Sequence, residues 1–174
     1  MEDAMKGRSV ALAVLLAMMG SGAASASVGE DECESLLLAA PLEDAVLPEG
    51  YEWGYLTLDG VGWEGALWAV DPALEYPPMV TFEIQCFADP TGALARITEA
   101  TTALRPDALV PIEAFGSGSI GLRDERDFIT VWWTEGSVLG SVRPWGVRME
   151  EFEAADLVSI AKALDAVMAG SGRG

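Results

Sequence analysis

The sequence predicts a single α+β domain in which an antiparallel sheet is backed by two or three helices. Two groups of short apolar runs, bounded by Gly, Pro and Asp, have the length and alternation of strands. Helical patterns precede, separate and follow these groups, so the predicted order is helix, strands, helix, strands, helix. The chain has 174 residues, of which 51% are hydrophobic, and this is enough for one core.

The first 26 residues have the pattern of a secretory signal peptide. Lys6 and Arg8 precede an apolar run over 10–19, and an A-x-A cleavage pattern follows at Ala24–Ala26. A run of this length cannot cross about 30 Å of hydrocarbon as a helix. The alternative, a buried core helix, conflicts with the glycines that follow the run. We therefore expect a signal peptide over 1–26, a secreted domain over 27–169 without a membrane span, and a flexible tail over 170–174.

The first part of the domain is predicted as a short helix over 35–40, which Pro41 ends, followed by three strands. In the third strand, apolar residues occupy every second position from Val80 to Cys86. Alternate residues of a strand face the same side, so Cys86 is expected on the core face. The three strands are expected over 52–58, 62–70 and 79–87.

The second part begins with a helix at Asp89-Pro90, because Asp caps a helix and Pro is tolerated at its first position. Arg105-Pro106 ends this helix. The last element has an apolar stripe at helical spacing and is the clearest helix of the chain. The expected ranges are 117–122 for a strand, 123–127 for a charged turn, 128–134 and 137–143 for a hairpin, and 150–169 for the final helix.

The turn of the hairpin is predicted at Glu135-Gly136, where Gly can supply a positive φ. This register places Trp133 opposite Val138 on the core face. On the other face, Trp132 lies opposite Leu139 among hydroxyl side chains. We therefore expect one large apolar patch on an otherwise polar surface.

Six Trp and three Tyr residues permit two interpretations. Aromatic rings bind sugars and apolar ligands, but they also fill the core of a small domain. We assign Trp68 and Trp133 to the core. The candidate ligand-binding residues are Trp132, Leu139 and Trp145, because the first two share the off-core face and the third follows a Pro in an expected exposed loop.

The two cysteines, Cys33 and Cys86, are expected to form a disulfide in an exported chain. The disulfide would close a loop of about 50 residues, which is worth about 4 kcal/mol in the chain-entropy model. Two buried free thiols are the alternative. Two cysteines without histidine cannot complete a structural zinc site, so we expect no metal.

The net charge of the chain is −18, from 10 basic and 28 acidic residues, and signal cleavage leaves it unchanged. Such a surface repels phosphate backbones and anionic lipid headgroups, so no nucleic-acid partner is expected. The absence of His excludes Ser-His-Asp and Cys-His catalysis. The glycine-rich run Gly116–Gly121 matches neither a phosphate loop nor a dinucleotide fingerprint. We assign no catalytic residue and expect no cofactor.

Three short patterns carry a resemblance to a known group of proteins. The acidic segment that contains Cys33 and leads into Leu36-Leu37 resembles the cysteine-and-leucine opening of actinobacterial secreted lipoproteins of unknown function. Val110-Pro111 and the segment from Ile129 to the final helix resemble the later strands of the same proteins. The extracellular sensor domains of actinobacterial serine/threonine kinases are similar in architecture. The chain departs from this pattern because it has no lipobox and only two cysteines.

The resemblance covers most of residues 31–169 and implies one sheet backed by helices. It also implies a disulfide from the first helix to a strand, like Cys33–Cys86. It supplies no catalytic residues, and it implies binding or sensing outside the cell.

We therefore expect a secreted, non-enzymatic binding or sensing domain for an envelope-associated or extracellular ligand. One alternative is an extracellular hydrolase that uses paired carboxylates, for which Asp59 and Glu64 are the candidates in a Trp-rich segment. The other alternative is a structural or interaction protein without a small-molecule ligand.

Overall fold

A computed structural model describes residues 35, 38–39, 41–59, 62–70, 74–102, 107–146 and 148–171. The predicted signal peptide and Cys33 lie outside these residues. Ser35, Leu38 and Ala39 are helical, and they fall in the segment for which the first helix is predicted. Two short 3₁₀ turns lie at Leu42–Asp44 and Met149–Glu151.

The described residues form one antiparallel sheet of seven strands together with two helices, which confirms the predicted single α+β domain. The strand order across the sheet is β1-β2-β3-β7-β6-β5-β4. The elements are β1 (Tyr51–Asp59), β2 (Gly62–Ala69), β3 (Met79–Cys86), α1 (Pro90–Thr102), β4 (Leu109–Val110), β5 (Gly118–Arg123), β6 (Ile129–Glu135), β7 (Val138–Trp145) and α2 (Ala154–Ser171).

The sheet consists of two meanders that meet in its middle. β1, β2 and β3 follow one another along the chain, and so do β4 to β7. The meanders join because β3 pairs with β7 along its whole length, from Met79 opposite Trp145 to Cys86 opposite Val138. As a result, residues of β2 and β7 that are far apart in the sequence share one region of the sheet.

Helix α2 covers one face of the sheet and forms the main core with it. Its start is capped by Asp156, whose Oδ2 accepts a hydrogen bond from the Glu153 backbone N–H at 3.0 Å. Glu150 and Glu151 belong to the preceding 3₁₀ turn, so the helix starts four residues later than predicted. The fully buried residues of this core are Leu42 from the first 3₁₀ turn, Leu67, Val80, Phe82, Ile84, Val131, Trp133 and Val142 from the sheet, and Leu157, Ile160, Ala161 and Leu164 from α2.

Helix α1 packs on the opposite face, where it covers one half of the sheet. Asp89 caps its start by accepting a hydrogen bond from the Gly92 backbone N–H at 2.9 Å. Ala93 and Ile97 pack in a second apolar cluster with residues of β5, β6 and β7. The β1–β3 half of this face contributes no residue to that cluster. The described part of the chain therefore leaves this half without a packed helix.

The hairpin between β6 and β7 has a register that differs from the predicted one by two residues. Trp133 lies opposite Gly140 instead of Val138, and the turn is at Gly136-Ser137. A Cβ atom on Gly140 would overlap the Trp133 ring, so glycine is the residue that lets the indole lie across β7. Because a shift of two residues preserves the alternation of faces, Trp133 is still in the main core, as predicted.

Three further predictions can be compared with the described residues. Cys86 is half-buried on the predicted core face and packs against the main core. α2 extends to Ser171, which is two residues into the segment for which a flexible tail is predicted. Within the part of the chain that the structure describes, no helix is both long enough and apolar enough to cross a bilayer.

Candidate functional site

The half of the sheet that α1 leaves uncovered presents a row of four side chains. Trp68 of β2 lies opposite Glu52 of β1 on one side and opposite Met79 of β3 on the other. Met79 in turn lies opposite Trp145 of β7. Directly opposed residues of an antiparallel sheet have Cβ atoms about 4.5–5.5 Å apart on the same face. The four side chains therefore form a continuous row across four strands.

This row is the floor of a cleft of about 520 Å³, which we call the tryptophan cleft. The connection between β2 and β3 supplies its wall through Glu75, Tyr76 and Pro77. Tyr76 is 70% exposed and Trp145 is 51% exposed, although both are large hydrophobic side chains. A volume of this size is in the usual range for a small-molecule site, about 300–1,000 Å³.

Gly54 leaves room for the Trp68 ring. β1 has a bulge between Trp53 and Tyr55, and a Cβ atom on Gly54 would overlap the Trp68 indole. Only glycine therefore leaves room for the ring to lie on β1. The prediction that Trp68 belongs to the core is wrong, because its side chain lines the tryptophan cleft on the face opposite the main core.

Arg143 contacts Trp145 from the neighbouring position on the same strand face. Its Cζ atom lies 5.5 Å from the centroid of the Trp145 ring, which is within range of a cation–π contact. Its Nη2 atom lies 3.9 Å from Oε1 of Glu83. Both charged side chains of this pair are about half exposed, so the pair adds at most about 1 kcal/mol of stability. Glu83 and the Trp145 ring therefore both lie beside the guanidinium.

A group of carboxylates lies beside the cleft on the same half of the sheet. Glu64 of β2 is directly opposite Glu83 of β3, and like charges in this position repel. The Tyr55 hydroxyl donates a hydrogen bond of 3.4 Å to Oε1 of Glu64. Partial burial, and after it the negative charges of Glu64 and Glu83, raise the pKa of Tyr55 above its usual value. The side chain of Asp59, the other carboxylate candidate, lies outside the described residues.

The structure does not bring the three predicted ligand-binding residues together. Leu139 is only 2% exposed, and Trp132 is half-buried against the same cluster beneath α1. Trp145 lies six positions beyond Leu139 on β7 and lines the tryptophan cleft. Its neighbours there are Trp68 and Met79, which were not predicted as site residues. The alternation of β3 does indicate that Met79 is on the off-core face.

A second group of polar residues lies where α2 meets the end of β6. Burial is the main cause that raises the pKa of Asp165 from 3.8 to about 6, and the negative charge of Glu135 adds to the rise. A hydrogen bond from the Trp133 indole N–H acts in the opposite direction and lowers the pKa. Oδ1 of Asp165 is buried without a hydrogen-bond partner among the described residues. The Ser117 hydroxyl donates to Oε2 of Glu135 at 3.1 Å. This arrangement makes Asp165 a source of pH-dependent stability.

The described residues include no cluster of three or more Cys, Asp or Glu side chains that could hold a metal ion. Comparison of the chain with protein-family models, curated proteins and solved structures finds no match. The resemblance to secreted lipoproteins and kinase sensor domains therefore stays a prediction.

Proposed function

We propose that the chain is a secreted, non-enzymatic binding domain that takes an extracellular or envelope-associated ligand in the tryptophan cleft. The observation that carries this proposal is the row of Trp68, Met79 and Trp145, which is open to solvent on a strongly acidic domain. Aromatic side chains bury about 150–250 Å² each when they are covered, so a ligand that covers these rings gains a large apolar contact.

The proposal is also supported by the order of the cleft before any ligand binds. The Trp68 ring packs against β1 at Gly54, and Arg143 lies between the Trp145 ring and Glu83. Rings that are already positioned lose less side-chain entropy on binding. The cleft is therefore suited to recognise a ligand without a large rearrangement.

The proposal can be tested with the neutral apolar dye N-phenyl-1-naphthylamine, whose fluorescence increases in an apolar site. We expect saturable binding at one site, with an affinity at least about tenfold weaker in Trp68→Ala and in Trp145→Ala. The matched control is Trp132→Ala, which removes a half-buried Trp outside the cleft and should leave dye affinity unchanged. Unchanged affinity in Trp145→Ala would overturn the assignment of the cleft.

The predicted disulfide between Cys33 and Cys86 is part of the proposal for a secreted domain. It is supported by the position of Cys86, which is half-buried against the main core at the end of β3. Mass spectrometry of the non-reduced protein should find the two cysteine peptides linked. Two separately alkylated thiols would refute the pairing.

A carboxylate-based extracellular hydrolase is the second candidate function. The observation in its favour is the direct opposition of Glu64 and Glu83 beside an aromatic cleft, since glycosidases use two carboxyl groups near a sugar-binding surface. Turnover of a polysaccharide that is lost in both Glu64→Gln and Glu83→Gln would favour this function. Turnover that is unaffected by the two substitutions would remove the reason to assign it to these residues.

A further inference from the structure

We propose that the ligand of the tryptophan cleft carries a quaternary ammonium group, a positive charge surrounded by methyl or methylene groups. This inference rests on the proposed binding function and specifies its ligand class. Three features of the cleft carry it: the aromatic rings, the charges at its rim and the lining residues that have no strong side-chain donor or acceptor.

The ring faces favour a cation. Trp68, Tyr76 and Trp145 all line the cleft, and the face of an aromatic ring attracts a positive charge within about 6 Å of its centroid. Trp145 already makes such a contact with the guanidinium of Arg143 at 5.5 Å. Arg143 is not among the residues that line the cleft, and its positive charge is opposed by Glu83, whose Oε1 lies 3.9 Å from Nη2 of Arg143.

The charges at the rim have the matching sign. Among the described residues that line the cleft, two are charged, and both are acids, Glu52 and Glu75. Both are exposed, so they can approach a ligand without first losing a partner in the core. The whole chain has a net charge of −18, which attracts cations toward its surface and repels anions.

The hydrogen-bonding groups distinguish a quaternary ammonium from other ligands. The remaining lining residues are Met79, Pro77 and Gly146, whose side chains offer no strong donor or acceptor. A sugar hydroxyl or a primary ammonium can pair with the carboxylates of Glu52 and Glu75 at the rim, but its polar hydrogens that face Met79, Pro77 or the rings would lose their hydrogen bonds to water. A quaternary ammonium has no N–H to satisfy, so it fits a cleft of rings and carboxylates.

The test compares choline with 3,3-dimethylbutan-1-ol, a neutral molecule of the same shape, in displacement of the naphthylamine dye. We expect choline to displace the dye at a concentration about tenfold lower than the alcohol does. The double variant Glu52→Gln/Glu75→Gln should reduce this preference to about twofold or less. The matched control Glu125→Gln, which removes an exposed acid in the β5–β6 turn, should leave the preference unchanged.

The outcomes separate this inference from the proposed function. Dye binding that depends on Trp145, together with equal displacement by choline and the alcohol, would overturn the cationic ligand and leave the cleft in place. Dye binding that does not depend on Trp68 or Trp145 would overturn both. Dye that choline cannot displace at any concentration would also overturn the inference.

Discussion

Replacement of Asp165 by Asn should stabilise the protein at neutral pH. In the folded protein, burial and Glu135 raise the pKa of Asp165 from 3.8 to about 6. The folded state therefore binds this proton more tightly than the unfolded state does. Stability falls as the pH rises from 3.8 to about 6, and the full penalty is present above that range.

The size of the effect follows from the same shift. At about 1.4 kcal/mol per pKa unit, the penalty at neutral pH has an upper bound of about 3 kcal/mol. The Asp165 side chain is partly exposed, so solvent screening reduces the expected value to about 1–2 kcal/mol. Asn has nearly the same shape and keeps an oxygen that can accept the Trp133 indole N–H. It therefore removes the charge without opening a cavity.

Urea unfolding followed by Trp fluorescence measures this prediction. At pH 7.5 the Asp165→Asn protein should have a free energy of unfolding about 1–2 kcal/mol above that of the parent, and at pH 4 the difference should be close to zero. The control Glu150→Gln removes the same charge from an exposed position and accounts for the change in net charge. A loss of stability at pH 7.5, or a gain of equal size at both pH values, would refute the reasoning.

The remaining predictions concern glycines on which aromatic rings lie. Gly140→Ala should lower the free energy of unfolding by about 1–3 kcal/mol in the same urea assay, because the added methyl group would overlap the Trp133 ring. The control is Gly170→Ala in α2, where nothing lies within 4 Å of the added methyl group, and it should be neutral or slightly stabilising. Equal effects of the two substitutions would contradict the packing of Trp133 on β7. Gly54→Ala should displace the Trp68 ring and weaken dye binding several-fold, and unchanged dye affinity would show that the ring position does not depend on this glycine.

The elements of the fold follow from local patterns in the sequence. The alternation from Val80 to Cys86 identifies both faces of β3, and Asp89 gives the start of α1 within one residue. These features depend on neighbours along the chain, so a single sequence contains enough information to predict them. The pairing of β3 with β7 joins residues up to 66 positions apart, such as Met79 and Trp145, and no local pattern indicates it.

The tryptophan cleft depends on the same long-range pairing, so no local pattern indicates it. Trp145 was predicted as a ligand-binding residue, but its partners Trp68 and Met79 come from strands that meet it only through the long-range pairing. The residue type alone assigns Trp68 to the core, because a large apolar side chain is usually buried. The clearance that Gly54 provides for its ring depends on the bulge in β1, which the residue types do not reveal.

The central claim, that a ligand binds between Trp68 and Trp145, is tested most directly by nuclear magnetic resonance of the Trp indole N–H groups. The chain has six Trp residues, and single substitutions assign their indole signals. During a titration with the naphthylamine dye, the signals of Trp68 and Trp145 should shift together with one saturation curve, while those of Trp132 and Trp133 stay in place. Shifts confined to Trp132, or a titration in which neither Trp68 nor Trp145 moves, would contradict the claim.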